Sequence, residues 1–160
     1  VIDRNGVYVH VFGTHMQSED KGCSKDQDVK NRAKGADAWR AYIDKFNIPA
    51  DELVILAGDF NTKRNTDEFR SLLGSLEVDQ PTTYNGHPST WDTETNEIAH
   101  YNYPNLEPEY LDYVFTDRKH KKVKSAVQTV LNVKAPEYDI SGVAYHEYSD
   151  HYPVQVVIEL

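Results

Sequence analysis

Five apolar residues, Leu53-Val54-Ile55-Leu56-Ala57, run without polar interruption and stop at Gly58-Asp59-Phe60-Asn61. A run that short and that apolar predicts the central strand of a sheet. Val7-Tyr8-Val9-His10-Val11-Phe12 is apolar or amphipathic throughout and predicts a second strand, buried on both faces. It empties into a polar loop from Gly13 to Asp20. Tyr110 to Phe115 and Ser125 to Leu131 read as two more strands. Val154 to Glu159 reads as a fifth, with Val154, Val156 and Ile158 on one face. The opening Val1-Ile2-Asp3-Arg4-Asn5-Gly6-Val7 predicts an Asn-Gly hairpin turn with a strand before and after it.

Elsewhere the apolar period changes from two to nearly four. Val29, Ala33, Ala36, Trp39, Ile43 and Phe46 predict an amphipathic helix from about Asp28 to Phe46, capped by Asp26 or Asp28 and stopped by Pro49. Gly35 inside it costs roughly 1 kcal/mol against Ala and suggests close packing. Asp67 to Leu76 predicts a shorter helix with Phe69, Leu72 and Leu73 inward. Asn85-Gly86 reads as a hairpin turn, Pro136 to Glu147 as a loop or ragged hairpin, and the stretch around Thr90-Trp91-Asp92 and Tyr101 to Pro104 as a loop. Five strands with two helices among them predict one α+β (or α/β) domain with a mixed sheet and flanking helices. No repeat, low-complexity segment or linker divides the 160 residues.

Chemistry-bearing residues gather where strands end, which is where open sheets place their sites. Asp59 and Asn61 lie two apart, a spacing at which a carboxylate accepts a proton or a metal-bound water while an amide fixes its direction; an Asx turn alone would also use this pattern. Asp112 lies among apolar neighbours and needs a partner: a backbone cap, a Lys or an imidazole. His15 and His151 both stand at strand edges, and Asp150 precedes His151. The set holds hard oxygen ligands suited to Mg²⁺, imidazoles suited to proton transfer, and no local signature of a Ser or Cys nucleophile. That inventory favours metal-assisted hydrolysis with water as the nucleophile. Seventeen basic against twenty-six acidic residues leave a net charge of −9, which argues against a stable nucleic-acid partner.

Taken in order, Gly58-Asp59-Phe60-Asn61, Leu111-Asp112-Tyr113 and Ser149-Asp150-His151 resemble the C-terminal half of the DNase I-like endonuclease/exonuclease/phosphatase superfamily. Phe12 to Asp20 with Cys23, Thr90-Trp91-Asp92, Tyr101-Asn102, Glu109 to Tyr113 and Tyr148 to Val154 resemble, within it, the bacterial neutral sphingomyelinases. The resemblance implies half of a four-layer αββα sandwich and Mg²⁺-dependent hydrolysis of sphingomyelin to ceramide and phosphocholine, with Mn²⁺ or Co²⁺ as substitute metals. It implies Asp150 and Asp59 beside the metal, through water. It also implies His151 as general base or phosphate-contacting acid oriented by Asp112, Asp59 and Asn61 positioning water and phosphate, and His15 donating to the phosphoryl oxygens. Trp91, Asn102 and Tyr145 are the expected substrate contacts. The expected partner is a phosphocholine lipid at a membrane surface, and the expected location is extracellular.

Two family features lie outside this sequence. The principal metal-ligand Glu and a further Asn belong to an N-terminal half with no counterpart here, and the family's residue matching Cys23 pairs with an upstream Cys. Residues 1–160 are therefore expected to be the C-terminal part of one catalytic domain, inactive alone and completed by the N-terminal half of the same protein. The hairpin expected before the Asp-His strand carries Tyr and Ile but no Trp-Phe tip. A nuclease or a sugar-phosphate or phosphoinositide phosphatase on the same scaffold, and a non-catalytic assembly piece, are the alternative functions.

Overall fold

The apolar run at 53–57 forms the middle of a five-stranded mixed sheet. The computed structural model describes residues 1–4, 6–19 and 21–160, and its elements follow in chain order. Strand β1 (Ile2–Arg4) and strand β2 (Val7–His15) precede helix α1 (Lys25–Asp44) and strand β3 (Leu53–Asp59). Helix α2 (Asp67–Leu76), strands β4 (Val78–Asp79) and β5 (Thr83–Gly86) and helix α3 (Glu97–Asn102) come next. Strands β6 (Asp112–Asp117), β7 (Ser125–Val130), β8 (Tyr138–Ile140), β9 (Val143–Tyr145) and β10 (Val154–Glu159) complete the order. The large sheet runs β1-β2-β3-β6-β4, a three-stranded sheet runs β10-β7-β5, and β8 pairs with β9. No helix among the described residues is long and apolar enough to cross a membrane.

One face of the large sheet carries Phe12, Val54, Leu56, Tyr113 and Phe115, which pack with Ala36 and Ile43 of α1 and with Phe69, Leu72, Leu73 and Leu76 of α2. Val130, Tyr152 and Val154 join the same core from the second sheet and its approach. Strand β2 is not buried on both faces: Tyr8 and Val11, which point to opposite sides of the strand, are both about half exposed. The strand also continues through Gly13 and Thr14 to His15, held by its parallel pairing with β3, where a polar loop was expected to begin. The expected Asn5-Gly6 turn falls partly on Asn5, outside the described residues; on either side of it β1 and β2 pair antiparallel. Asp20 also lies outside them.

Helix α1 begins earlier than expected. Ser24 caps it, its side chain accepting from the Gln27 amide at 3.3 Å, while Asp26 and Asp28 occupy the first turn, where negative charge suits the helix dipole. Its buried face is Asp28, Arg32, Ala36, Arg40 and Ile43, not a purely apolar stripe. Arg32 reaches Glu68 of α2 at 2.6 Å, and Arg40 pairs with fully buried Asp117 at the far end of β6. Long arginine stems fill the apolar layer while their heads find carboxylates. Ala33, Gly35 and Phe46 face outward, and a Cβ on Gly35 would meet nothing within 4 Å, so that glycine serves no close packing.

Asn85-Gly86 is no hairpin turn. Both residues lie in β5, paired parallel to β7. Gly86 has φ +82°, and a Cβ there would sit 2.1 Å from the Val130 carbonyl oxygen, so close backbone approach explains the glycine. The 136–147 stretch is the expected hairpin, β8 to β9. Helix α3 was not expected from composition; six residues show no period, and it is set by its cap, Asn96, whose side chain accepts from the Ile98 and Ala99 amides.

Candidate active site at the strand ends

Strand register assembles the site. His15 of β2 lies opposite Asp59 of β3, and Asp59 lies opposite Asp112 of β6, so three strands deliver one row of side chains to the same sheet face. Two carboxylates opposite each other repel, and such a pair persists where a proton, a cation or an imidazole sits between them. Gly58 makes the row possible. Its φ is +141°, and any Cβ would collide with the Thr14 carbonyl oxygen at 1.9 Å.

His151 supplies the imidazole. It arrives just before β10, placed by an antiparallel bridge to Trp91. Its Nδ1 lies 2.8 Å from Asp112 Oδ2, and its Nε2 lies 3.9 Å from Asp59 Oδ2. With Nδ1–H donating to Asp112, Nε2 faces Asp59 and the cleft. Burial pulls this imidazole down, but the hydrogen bond and charge of Asp112, with the charges of Asp59 and Asp150, outweigh it and hold His151 above its ordinary pKa. His15 Nε2 lies 3.3 Å from Asp59 Oδ2 with its side chain 74% exposed, so the ring is free to meet a bound anion.

Asp59 is fixed from the other side by Asn61. The Asn61 amide donates to Oδ1 at 2.8 Å, and its side-chain Nδ2 donates to Oδ2 at 3.2 Å and to the Met16 carbonyl at 2.8 Å. Asn61 holds φ +47°, a conformation asparagine tolerates, which folds its carboxamide back over the aspartate. Burial raises the Asp59 pKa, and the Asp112 charge adds to it against the opposing Asn61 bond and the two imidazoles. Asp59, Asp112 and His151 each offer a ligand atom within 4.8 Å of the others, and they are the one such group among the described residues. Hard carboxylate oxygens at this spacing fit a divalent ion. Asp150, half-buried, lies in the wall of the same cleft but outside that group.

The cleft has a volume of about 440 Å³ and brings together His15, Asp59, Asn61, Asp112, Asp150 and His151, with Trp91. Tyr103, Leu106, Glu19 and Glu109 also line it, and no sequence signal marked them. Asn102 and Tyr145 lie elsewhere. Asn102 is in a separate depression near Cys23, on the far side of Tyr103 and Leu106. Tyr145 is 7% exposed, packed between Tyr101 and Tyr138 in the groove between α3 and β9. The exposed apolar residues of the hairpin region are instead Ile140, Val143 and Tyr148.

Sequence reasoning passed over the residues that tie the cleft wall together. Asp92, 4% exposed, accepts from the Glu94 and Thr95 amides and from Ser89 Oγ, and lies 2.7 Å from His87 Nε2. Burial pushes its pKa up, but these bonds win and pull it down to about 2. A carboxylate depressed below its unfolded value stabilises the fold above that value and loses the contribution as pH falls from about 4 to about 2, some 2 kcal/mol here. Denaturant unfolding of wild type and Asp92→Asn should therefore show a stability gap of about 2 kcal/mol near pH 6 that closes toward pH 2. A gap independent of pH would refute the assignment.

Comparison with known proteins bears on the family and the fold. The profile of the Endonuclease/Exonuclease/phosphatase family matches residues 7–151. The chain is 44% identical over 158 residues to a phospholipase C of Staphylococcus aureus, covering 96% of this chain and 48% of that protein. It is 37% identical over 157 residues to sphingomyelinase C of Listeria ivanovii, covering 96% and 47%. The crystal structure of a mutant beta toxin from Staphylococcus aureus with bound magnesium ions superposes with a TM-score of 0.91 at 44% identity, over 96% of this chain and 54% of that one. The fold is thus the DNase I-like one, and the chain spans about half the length of the curated relatives it matches.

Proposed function

The chain belongs to the endonuclease/exonuclease/phosphatase family, and from that premise we propose that it supplies one half of a magnesium-dependent phosphodiesterase that cleaves sphingomyelin to ceramide and phosphocholine. The observation that carries this reading is the row His15–Asp59–Asp112 closed by His151, which sets two imidazoles and two carboxylates around one cleft. The names of the relatives supply the substrate class.

In the reaction, water adds to phosphorus, the bond from phosphorus to the ceramide oxygen breaks, and that oxygen takes up a proton and leaves as the ceramide hydroxyl. Asp59, held by Asn61, positions the water. His151 Nε2 receives its proton, and Asp112 holds the ring in the donating tautomer and balances the charge that forms. His15 donates to the phosphoryl oxygens as negative charge builds on them. Of the group whose spacing fits a divalent ion, Asp112 and His151 are taken up by each other. Asp59 would therefore hold the ion together with Asp150 of the same cleft wall, through water, with the family's main Glu ligand outside these residues. When bound, that ion supplies Lewis-acid polarisation of the phosphoryl oxygen. Exposed Ile140, Val143 and Tyr148 suit a substrate presented at a lipid surface, and secretion of the protein accords with that substrate.

The test uses full-length protein, sphingomyelin in detergent micelles, plasmid DNA and a sugar phosphate. Phosphocholine release should fall at least about 100-fold with EDTA and return with Mg²⁺. Faster turnover of DNA or of the sugar phosphate, or release that ignores EDTA, would overturn the proposal.

A further inference from the structure

Among the described residues no backbone hydrogen bond directly joins the two segments that carry Asp112 and His151, so something else must fix their separation. Asp112 opens β6, whose edge away from β3 is covered by β4 only at Thr116 and Asp117. At its near end side chains finish that edge. Gln128 of β7, fully buried, donates to the Asp112 carbonyl and accepts from the Val114 amide, and Thr90 accepts from the Asp112 amide.

Thr90 does more than close an edge. Its Oγ1 accepts from the Leu111 amide at 2.9 Å and the Asp112 amide at 3.1 Å. Its carbonyl accepts from the Tyr152 amide at 2.7 Å, and its own amide donates to the Glu109 carbonyl at 3.1 Å. One residue therefore grips the Asp112 peptide with its side chain and the peptide after His151 with its backbone. It is 0% exposed, and its branched Cβ restricts χ1, so the hydroxyl has little freedom to swing away.

We infer that Thr90 is a positioning residue for the reaction, setting the distance between Asp112 and His151 through this two-sided grip. The inference rests on the catalytic reading of His151 given above. Its consequence is a split between turnover and binding. Thr90→Val keeps the shape but removes the acceptor, so the Leu111 and Asp112 amides lose their partner. At Asp112 only the Gln128 bond to its carbonyl then remains on that edge, and the cleft surface is untouched. A shift of about 1 Å in such a pair is enough to lower a rate by about 100-fold.

The experiment measures sphingomyelin hydrolysis in micelles by the full-length protein with Mg²⁺. Thr90→Val should lose about 30- to 100-fold in kcat with KM within about threefold, and Thr90→Ser, which restores the acceptor, should return kcat to within about threefold of wild type. Val78→Ala, in the core of β4, serves as a control destabilised away from the site and should keep wild-type kcat. If Thr90→Val fails to fold by its melting curve, Thr90→Ala, which leaves room for a water, carries the same comparison. A Thr90 variant with wild-type kcat, a loss confined to KM, or a serine variant no better than valine would overturn the inference. His151→Ala separates the two readings: if it stays active, the catalytic reading falls and this inference with it. If it is inactive while Thr90→Val is unimpaired, the positioning role alone falls.

Discussion

Replacing His151 by Ala in the full-length protein should lower the proposed turnover of sphingomyelin by about 10³-fold, within the range that a positioned acid or base contributes. Its Nε2 faces the Asp59 side of the cleft, and Asn61 already occupies Asp59 with two hydrogen bonds. The other imidazole on Asp59, His15, has no Asp112 to set its tautomer and in the proposed reaction donates to the phosphoryl oxygens. Stability should change little. The side chain is 25% exposed at the cleft wall, so truncation leaves no sealed cavity. Steady-state kinetics beside a thermal melt check both halves of the expectation. Turnover within tenfold of wild type, or a collapse of the fold, would remove His151 from the mechanism.

The second large effect belongs to Asp112. Asp112→Asn keeps the size of the side chain and removes the charge. An asparagine offers His151 Nδ1 either a carbonyl or an amide, and the amide choice forces the proton to Nε2, where a base must be unprotonated. The expected loss in kcat is about 10²- to 10⁴-fold. The same change relieves the repulsion between Asp112 and Asp59, whose pKa the Asp112 charge helps to raise. The melting temperature of Asp112→Asn should therefore match or exceed that of wild type while activity falls. A variant that is both less active and clearly less stable would mean that Asp112 serves the fold and not the reaction.

Legibility in the sequence followed the reach of local chemistry. The central strand, α2 and β10 could be read because a period or an unbroken apolar run fixes them. Strand β2 looked buried on both faces because apolar composition cannot show which side another element covers. Helix α1 hid its buried face because Arg32 and Arg40 point inward, toward carboxylates more than thirty residues away. Asn85-Gly86 carries the composition of a hairpin, yet its glycine answers a close approach by β7.

The site divided along the same line. His15, Asp59, Asn61, Asp112, Asp150 and His151 could be found by residue type at strand ends, and the structure gathers all six in one cleft. The register that sets Asp59 against Asp112 is a property of strand pairing and has no local signature. Thr90 entered only as part of the Thr90-Trp91-Asp92 resemblance, with no role, and Asn96 not at all, for a related reason. Their bonds to the Asp112 amide and the Ser149 carbonyl span tens of residues, and threonine and asparagine are ordinary in loops. Asn102 and Tyr145 were expected at the substrate, but Asn102 ends α3 and Tyr145 ends β9, and each lines a neighbouring depression.

The row of site residues also governs how the chain reaches its native state. His15, Asp59, Asp112 and His151 come from four well-separated stretches, so the cluster is made wholly of long-range contacts, the kind that form slowly and together. Until the segment bearing His151 docks, Asp59 and Asp112 face each other with no positive group between them. An intermediate that has paired β3 with β6 but not yet seated β10 therefore carries uncompensated like charge at that sheet end. Refolding should therefore speed up as pH falls toward the range where Asp59, held above its ordinary pKa by burial and by the Asp112 charge, takes a proton.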